Sequence, residues 1–251
     1  MKVYLINLDK DVERLAAADA QLKRLGVDYE RVSAVYAKEL PQKELDGAVN
    51  KFRWWCAMGR EARVGEIGCA MSHYMIYRKI IAEKIPIACI LEDDVILDDR
   101  FPEVLKNIEA KYDLDEPSVV LLSDHTKREG VSVDAGTGFA LESSRRDMFA
   151  EGYVLGGICS RHLLASNWPM QVPCDHWGRW VKTGVINLYH ARPTVCYQDQ
   201  SQYESGTADV GFFDVKNLKV VPLVVHKLKR LIGKIIDCVL LEVDAFAKKG
   251  V

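Results

Sequence analysis

"VYLINLDKDVERLAAADAQLKRLGVDYERVSAV", Val3 to Val35, decides the fold. Val3 to Leu8 is an apolar run of strand length. From Asp9 to Leu25, Val12, Leu15, Leu22 and Leu25 recur at helical spacing, and Gly26 supplies the stop. Tyr29 to Val35 then returns to strand character, so the segment reads as a β-α-β unit. The expected class is α/β, with a parallel sheet and flanking helices.

The alternation continues downstream. A helix from Ile67 to Glu83 leads to a strand, Ile87 to Leu91; Phe101 to Tyr112 reads as a helix and Ser118 to Leu122 as a strand. Lys38 to Arg63, polar and then carrying Phe52, Trp54 and Trp55, is expected to be a long connection whose aromatics anchor it and contribute to a binding wall. Beyond Asp124 come a turn at Gly136 and Gly138, a strand from Tyr153 to Cys159 and a short helix from Ser160 to Trp168. A strand from Val185 to His190 and a polar loop from Gln198 to Asp209 follow. No repeat or clear linker interrupts the chain, so one domain over residues 1–225 with a helical appendage over 226–251 is expected.

A chain of 251 residues, 49% hydrophobic and 28% charged, is ordinary for a soluble globule. The net charge of −2 gives no global reason to bind nucleic acid, and no nucleic-acid partner is expected. The seven cysteines are scattered, odd in number and without a CxxC pair, which suits reduced thiols in a cytoplasmic protein. Val3 to Leu8 is too short for a signal-peptide core or a membrane span, so the expected location is cytoplasmic.

Chemistry concentrates in "PIACILEDDVILDDR", Pro86 to Arg100, where an apolar strand runs into Glu92, Asp93 and Asp94. Alternation along a strand would send Glu92 and Asp94 to one side and Asp93 to the other. Two carboxylates a few Å apart repel by about 4 kcal/mol at an effective dielectric of about 20, which a divalent cation relieves. Hard oxygen ligands select Mg²⁺ or Mn²⁺, ions that commonly bridge carboxylates to phosphate oxygens, and ligands of open α/β sheets sit at strand carboxyl ends. The competing reading is a solvated acidic run that caps the next element. "INLDKDVER" adds Asn7, Asp9 and Arg14 at the end of the first strand, Arg14 being suited to a carboxylate or phosphate, or else an ordinary helix-surface arginine.

Three segments, "VYLINLDKDVERL", "GEIGCAMSHYMIYRKI" (Gly65 to Ile80) and "IACILEDDVIL" (Ile87 to Leu97), together resemble glycosyltransferase family 25, which includes bacterial lipopolysaccharide and lipooligosaccharide glycosyltransferases and relatives of collagen-glycosylating enzymes. The resemblance is good over the first 100 residues or so and thinner beyond. "EGYVLGGICSRHLL" is similar to the strand and helix before the family's Pro-x-Asp element, here Pro173, Cys174 and Asp175, and Pro193, Gln200 and Ser205 match a later segment. Cys174 departs from the usual apolar residue. The resemblance implies a GT-A-like fold with a Rossmann-type mixed, mainly parallel sheet and flanking helices, a UDP-sugar donor (UDP-galactose or UDP-glucose), inversion at the anomeric carbon, and Mn²⁺ or Mg²⁺ at the acidic motif.

Within that frame Asp94 is the expected main metal ligand, with Glu92 on the metal or the donor ribose and Asp93 a neighbour. Asn7 and Arg14 are expected to help hold the nucleotide, and His73 to approach the donor phosphates or orient an acid of the cluster. Asp175 is the expected general base, with Trp177 and Trp180 offering apolar faces to a sugar; His176, Glu204 and Asp124 compete for the role, and helix capping is the other reading of Asp175. His190 and His226 are candidates to give an imidazole to the metal.

The tail places Leu228, Leu231, Ile232, Ile235, Val239, Val243 and Phe246 at near-helical spacing behind Lys227, Lys229, Arg230 and Lys234. A basic amphipathic helix of this kind suits peripheral attachment to the cytoplasmic face of the inner membrane, and with it a lipid-linked saccharide or oligosaccharide acceptor; packing against protein is the alternative. Two other functions compete: a nucleotidyltransferase making a nucleotide-sugar, disfavoured because no Gly-rich phosphate loop follows the first strand, and a non-catalytic sugar-binding protein.

Overall fold

The structure is a computed structural model that describes residues 1–124, 138–145 and 147–199 and four helical positions at 231, 233, 235 and 237. These residues fall into two compact units, one built from residues 1–35, 69–166 and 174 onward through the last described strand, the other from 36–68, 167–173 and the C-terminal helical positions.

The first unit is organised by a seven-stranded sheet. Its strands are β1 (Lys2–Asn7), β2 (Glu30–Ser33), β3 (Ile87–Glu92), β5 (Ser118–Leu121), β6 (Ala140–Ser144), β7 (Gly152–Gly156) and β8 (Asn187–Arg192), in the order β2-β1-β3-β7-β5-β8-β6. β1 is parallel to both β2 and β3, and β5 is parallel to β8, whereas β7 runs antiparallel to β3 and β5, and β6 antiparallel to β8. β4 (Val95–Leu97) and β9 (Cys196–Gln198) form a separate antiparallel pair. This is the mixed, mainly parallel Rossmann-type architecture expected for a GT-A-like protein. Val3, Leu5, Cys89, Leu91, Val120 and Val154 share one core with Ala18 and Leu22 of helix α1 (Val12–Arg24) and with Phe101, Val104 and Ile108 of helix α5 (Phe101–Lys111). Continuous apolar runs such as IACIL form central strands because both faces are covered.

Local chemistry explains the boundaries. α1 ends where Gly26 takes φ +64°, with Val27 N–H bonding Leu22 O and Gly26 N–H bonding Lys23 O, a closure that favours glycine. The helix begins at Val12, which is 64% exposed, so Val12 belongs to the entry of the helix and not to its buried face. β7 crosses at close quarters. A Cβ on Gly152 would stand 2.6 Å from Cys196 Sγ, and one on Gly156 would stand 2.9 Å from the Pro86 carbonyl oxygen. β7 also stops at Gly156, three residues before the expected Cys159, and helix α6 (Gly157–Asn167) follows at once.

In the second unit the expected connection is helical: α2 (Gln42–Ala48) and α3 (Lys51–Met58), with Asn50 Oδ1 capping α3 by accepting from Arg53 N–H. Val49 bridges Met170, and Trp54 is buried while Phe52 is exposed. At the C-terminal positions Leu231 and Ile235 are exposed, whereas Gly233 packs against α3, where a Cβ would meet Cys56 O at 3.2 Å. Among the described residues no helix is long and apolar enough to cross a membrane.

Candidate active site

β1, β3, β5 and β8 all deliver their carboxyl ends to one edge of the sheet, and β7, running the other way, delivers its entry there. β3 stops at Glu92, so Asp93 and Asp94 lie in the turn before β4 and the strand alternation does not carry through to Asp94. The three acids are sorted to three sets of partners instead.

Asp93 turns toward β1. Its Oδ2 accepts from Asn7 Nδ2 at 2.7 Å and its Oδ1 pairs with Arg14 Nη1 at 3.3 Å. Burial raises the Asp93 pKa, opposed by the Asn7 hydrogen bond and the Arg14 charge. Asn7 is buried and fully used: Nδ2 also donates to Asp11 O at 3.0 Å, and Oδ1 accepts from Arg31 Nε at 3.0 Å. Arg31 also pairs with Asp9, whose other oxygen accepts from Ser33 Oγ at 2.8 Å. Arg14 is therefore a partner of the acidic motif, and Asn7 ties the ends of β1 and β3 together.

Glu92 turns toward helix α4 (Val64–Ala82). His73 Nε2 lies 3.2 Å from Glu92 Oε1, and His73 Nδ1 lies 2.7 Å from the Tyr153 hydroxyl, which in turn lies 2.8 Å from that of Tyr77. His73 is buried; burial lowers its pKa, but Cys69 and Glu92 overcome this and raise it to about 10. Burial raises the Glu92 pKa, His73 opposes, and the nearby Asp94 and Glu151 push it further up. His73 thus contacts an acid of the cluster. Cys69 Sγ sits 3.9 Å from Cys174 Sγ beside this pair.

Asp94 is the acid left with an open valence. Its Oδ2 accepts from Gln198 Nε2 at 3.2 Å, while Oδ1 is buried with no hydrogen-bond partner. A buried carboxylate oxygen without a donor costs about 1–3 kcal/mol, a penalty that a hard cation removes. Asp94 Oδ1 thus offers a ligand atom that suits Mn²⁺ or Mg²⁺, and Glu92 lies within electrostatic range of both Asp94 and Glu151. Sequence reasoning missed Glu151, an isolated acid before a strand; its backbone carbonyl accepts from Glu92 N–H at 2.9 Å.

Asp175 lies within electrostatic range of His73, and its pKa is raised by burial. It does not cap the short helix α7 (Trp177–Lys182), whose N-cap is His176. Its Oδ2 instead accepts from Phe149 N–H at 3.1 Å, and the Phe149 carbonyl accepts from Trp177 Nε1 at 2.8 Å, clamping Phe149 at φ +80°. Trp177 and Trp180 are buried, Trp177 against the Tyr153 ring, so neither presents a face to a sugar as the sequence suggested. Asp124 and His190 come together at the ends of β5 and β8 with Asp147. Gln200, Glu204, Ser205 and His226 lie outside the described residues.

A family profile described as glycosyltransferase family 25 (LPS biosynthesis protein) matches residues 1–177. The chain belongs to this family. It is 32% identical over 127 residues to procollagen galactosyltransferase 1-B of Xenopus laevis, covering 45% of this chain and 20% of that protein. Over 102 residues it is 33% identical to a glycosyltransferase 25 family member of Aedes aegypti, covering 39% of this chain and 17% of that protein. Lipooligosaccharide biosynthesis protein lic2B of Haemophilus influenzae is 29% identical over 102 residues, 41% of this chain and 36% of that protein. The matched region thus spans a fifth or less of the two animal relatives and about a third of the bacterial one.

Proposed function

We propose that the chain is an inverting, metal-dependent hexosyltransferase that moves galactose or glucose from a UDP-sugar to a saccharide acceptor of lipopolysaccharide or lipooligosaccharide. Family membership supports glycosyl transfer, and the names of the relatives favour galactose and a lipooligosaccharide acceptor. The observation that carries the reading is Asp94, whose buried Oδ1 lacks a hydrogen-bond partner beside Glu92 and Glu151 at the sheet edge where ligands of open α/β folds bind.

When bound at Asp94 and Glu92, Mn²⁺ or Mg²⁺ would supply Lewis acidity to the departing diphosphate. Asp93 and Arg14 form the polar wall for the nucleotide, with Asn7 helping to hold it by fixing Asp93 from behind, and the His73 imidazolium fixes Glu92. Asp175, made more basic by burial, takes the proton of the acceptor hydroxyl. That oxygen then bonds to the anomeric carbon from the face opposite the leaving group, the bond to the diphosphate oxygen breaks, and UDP departs with the electron pair. The exposed Leu231 and Ile235 support an apolar helix face for attachment at the cytoplasmic side of the inner membrane, which vesicle flotation of full-length and truncated chains tests.

Thermal stabilisation across UDP-, GDP- and CMP-sugars with Mn²⁺ tests the donor. A shift with UDP-galactose or UDP-glucose is expected; no shift with any UDP-sugar overturns the reading, and pyrophosphate release from a nucleoside triphosphate would replace it with nucleotidyl transfer. Asp175→Asn is expected to abolish transfer while donor binding survives, and retained turnover removes Asp175 as the base.

A further inference from the structure

A second polar cluster stands apart from the acidic motif. His190 of β8 is 1% exposed, and its Nδ1 lies 2.9 Å from the Ser123 carbonyl oxygen. A carbonyl only accepts, so Nδ1 carries the hydrogen and, in the neutral ring, Nε2 carries the lone pair. That Nε2 faces Asp147 Oδ2 at 3.1 Å, yet neither atom has a hydrogen-bond partner. A bare ring nitrogen against a carboxylate oxygen is repulsive, so the pair needs either a proton on Nε2, which burial opposes but Asp147 and Asp124 favour by raising the His190 pKa, or a cation shared between the two atoms.

Cation coordination reconciles these facts. Two neighbouring ligands at about 2.1 Å from a metal and at right angles are about 3.0 Å apart, side by side instead of head-on. Asp124 offers a third ligand atom, all three lying within 4.8 Å of one another. Metal-bound histidines typically donate their other ring N–H to a carbonyl or carboxylate, as Nδ1 does here to Ser123. Asp124 also meets Arg192, whose Nη2 lies 2.6 Å from Asp124 Oδ2 and 2.5 Å from Glu142 Oε2, so the guanidinium orients the third ligand.

We propose that Asp124, Asp147 and His190 hold a divalent first-row transition cation, Mn²⁺ or Zn²⁺, at a centre separate from Asp94. The mixed carboxylate and imidazole set selects these ions over Mg²⁺ or Ca²⁺. By fixing Asp147, the ion anchors the start of the segment whose Phe149 N–H holds Asp175, so it positions the base without touching substrate.

The test uses the full chain, freed of metal by chelator and titrated with Mn²⁺ alone, free ion being counted by electron paramagnetic resonance, and with Zn²⁺ alone, counted by elemental analysis after gel filtration. Asp94→Asn is expected to retain one bound equivalent, and His190→Gln and Asp147→Asn to bind that equivalent at least tenfold more weakly while circular dichroism stays that of the parent. As a measurement independent of those two variants folding, Mn²⁺ bound to Asp94→Asn should show the nitrogen coupling of a directly ligated imidazole. The proposal is overturned if the parent binds neither ion, if Asp94→Asn loses all binding, if the two cluster variants bind like the parent, or if the nitrogen coupling is missing, which would leave a metal-free His190–Asp147 ion pair. The donor reading fails separately, on the absence of UDP-sugar stabilisation.

Discussion

The imidazole of His73 stands 3.2 Å from Glu92 through Nε2 and 2.7 Å from the Tyr153 hydroxyl through Nδ1, so one buried ring joins α4, β3 and β7. Its protonation is therefore part of the fold. The pKa rises from 6.5 in the unfolded chain to about 10 in the folded one. A raised folded-state value gives stability that is present in full below pH 6.5 and is lost as pH rises through about 10. The free energy of unfolding should fall between these limits, and His73→Gln should flatten the profile. Parallel pH profiles for parent and variant would contradict the charged ring.

Asn7 bonds Asp93, Asp11 and Arg31 from a buried position. Asn7→Ala strands these partners and should cost about 2–3 kcal/mol in urea unfolding. Asn7→Asp, which sets a second carboxylate against Asp93, should cost more. A loss below about 1 kcal/mol for Asn7→Ala would show that water replaces the amide.

Asp94→Asn should behave in the opposite way. Removing charge from a carboxylate with an unpartnered buried oxygen relieves a penalty, so the metal-free melting temperature should hold or rise. The additional stabilisation that a UDP-sugar gives over Mn²⁺ alone should disappear. A lowered metal-free melting temperature would mean that the carboxylate is structural.

Gly152→Ala would push a methyl to 2.6 Å from Cys196 Sγ, with Leu91 Cδ2 at 3.2 Å. Overpacking of this kind costs about 1–3 kcal/mol. Cys196→Ala removes the nearer obstacle, so the double variant should be more stable than the sum of the single losses allows. Agreement with additivity to within about 0.5 kcal/mol would refute the clash.

The first β-α-β unit was legible because its apolar runs and the Gly26 stop obey local rules. The reversed direction of β7 was not, since GYVLG is buried along its whole length and an apolar run has the same pattern in either sense. α2 escaped detection because its seven residues bury only Leu45 and Ala48, too few to display a period. β6 shows no inward and outward alternation. In the site, Asn7, Arg14, His73 and the three acids were readable as residues, and their pairings were not. That Arg14 reaches Asp93 while His73 reaches Glu92 depends on where β3 ends and α4 crosses. Asp147 carried no local signal at all, because its relation to His190 arises from contact between segments far apart in the chain.

Because β7 runs against its neighbours, the chain that enters it lies on the edge where the parallel strands finish. Five consecutive positions, from Asp147 to Glu151, therefore reach the His190 cluster, the backbone hold on Asp175 and the neighbourhood of Glu92. Change in that short stretch alters the surroundings of several reactive groups while every strand keeps its partner and register.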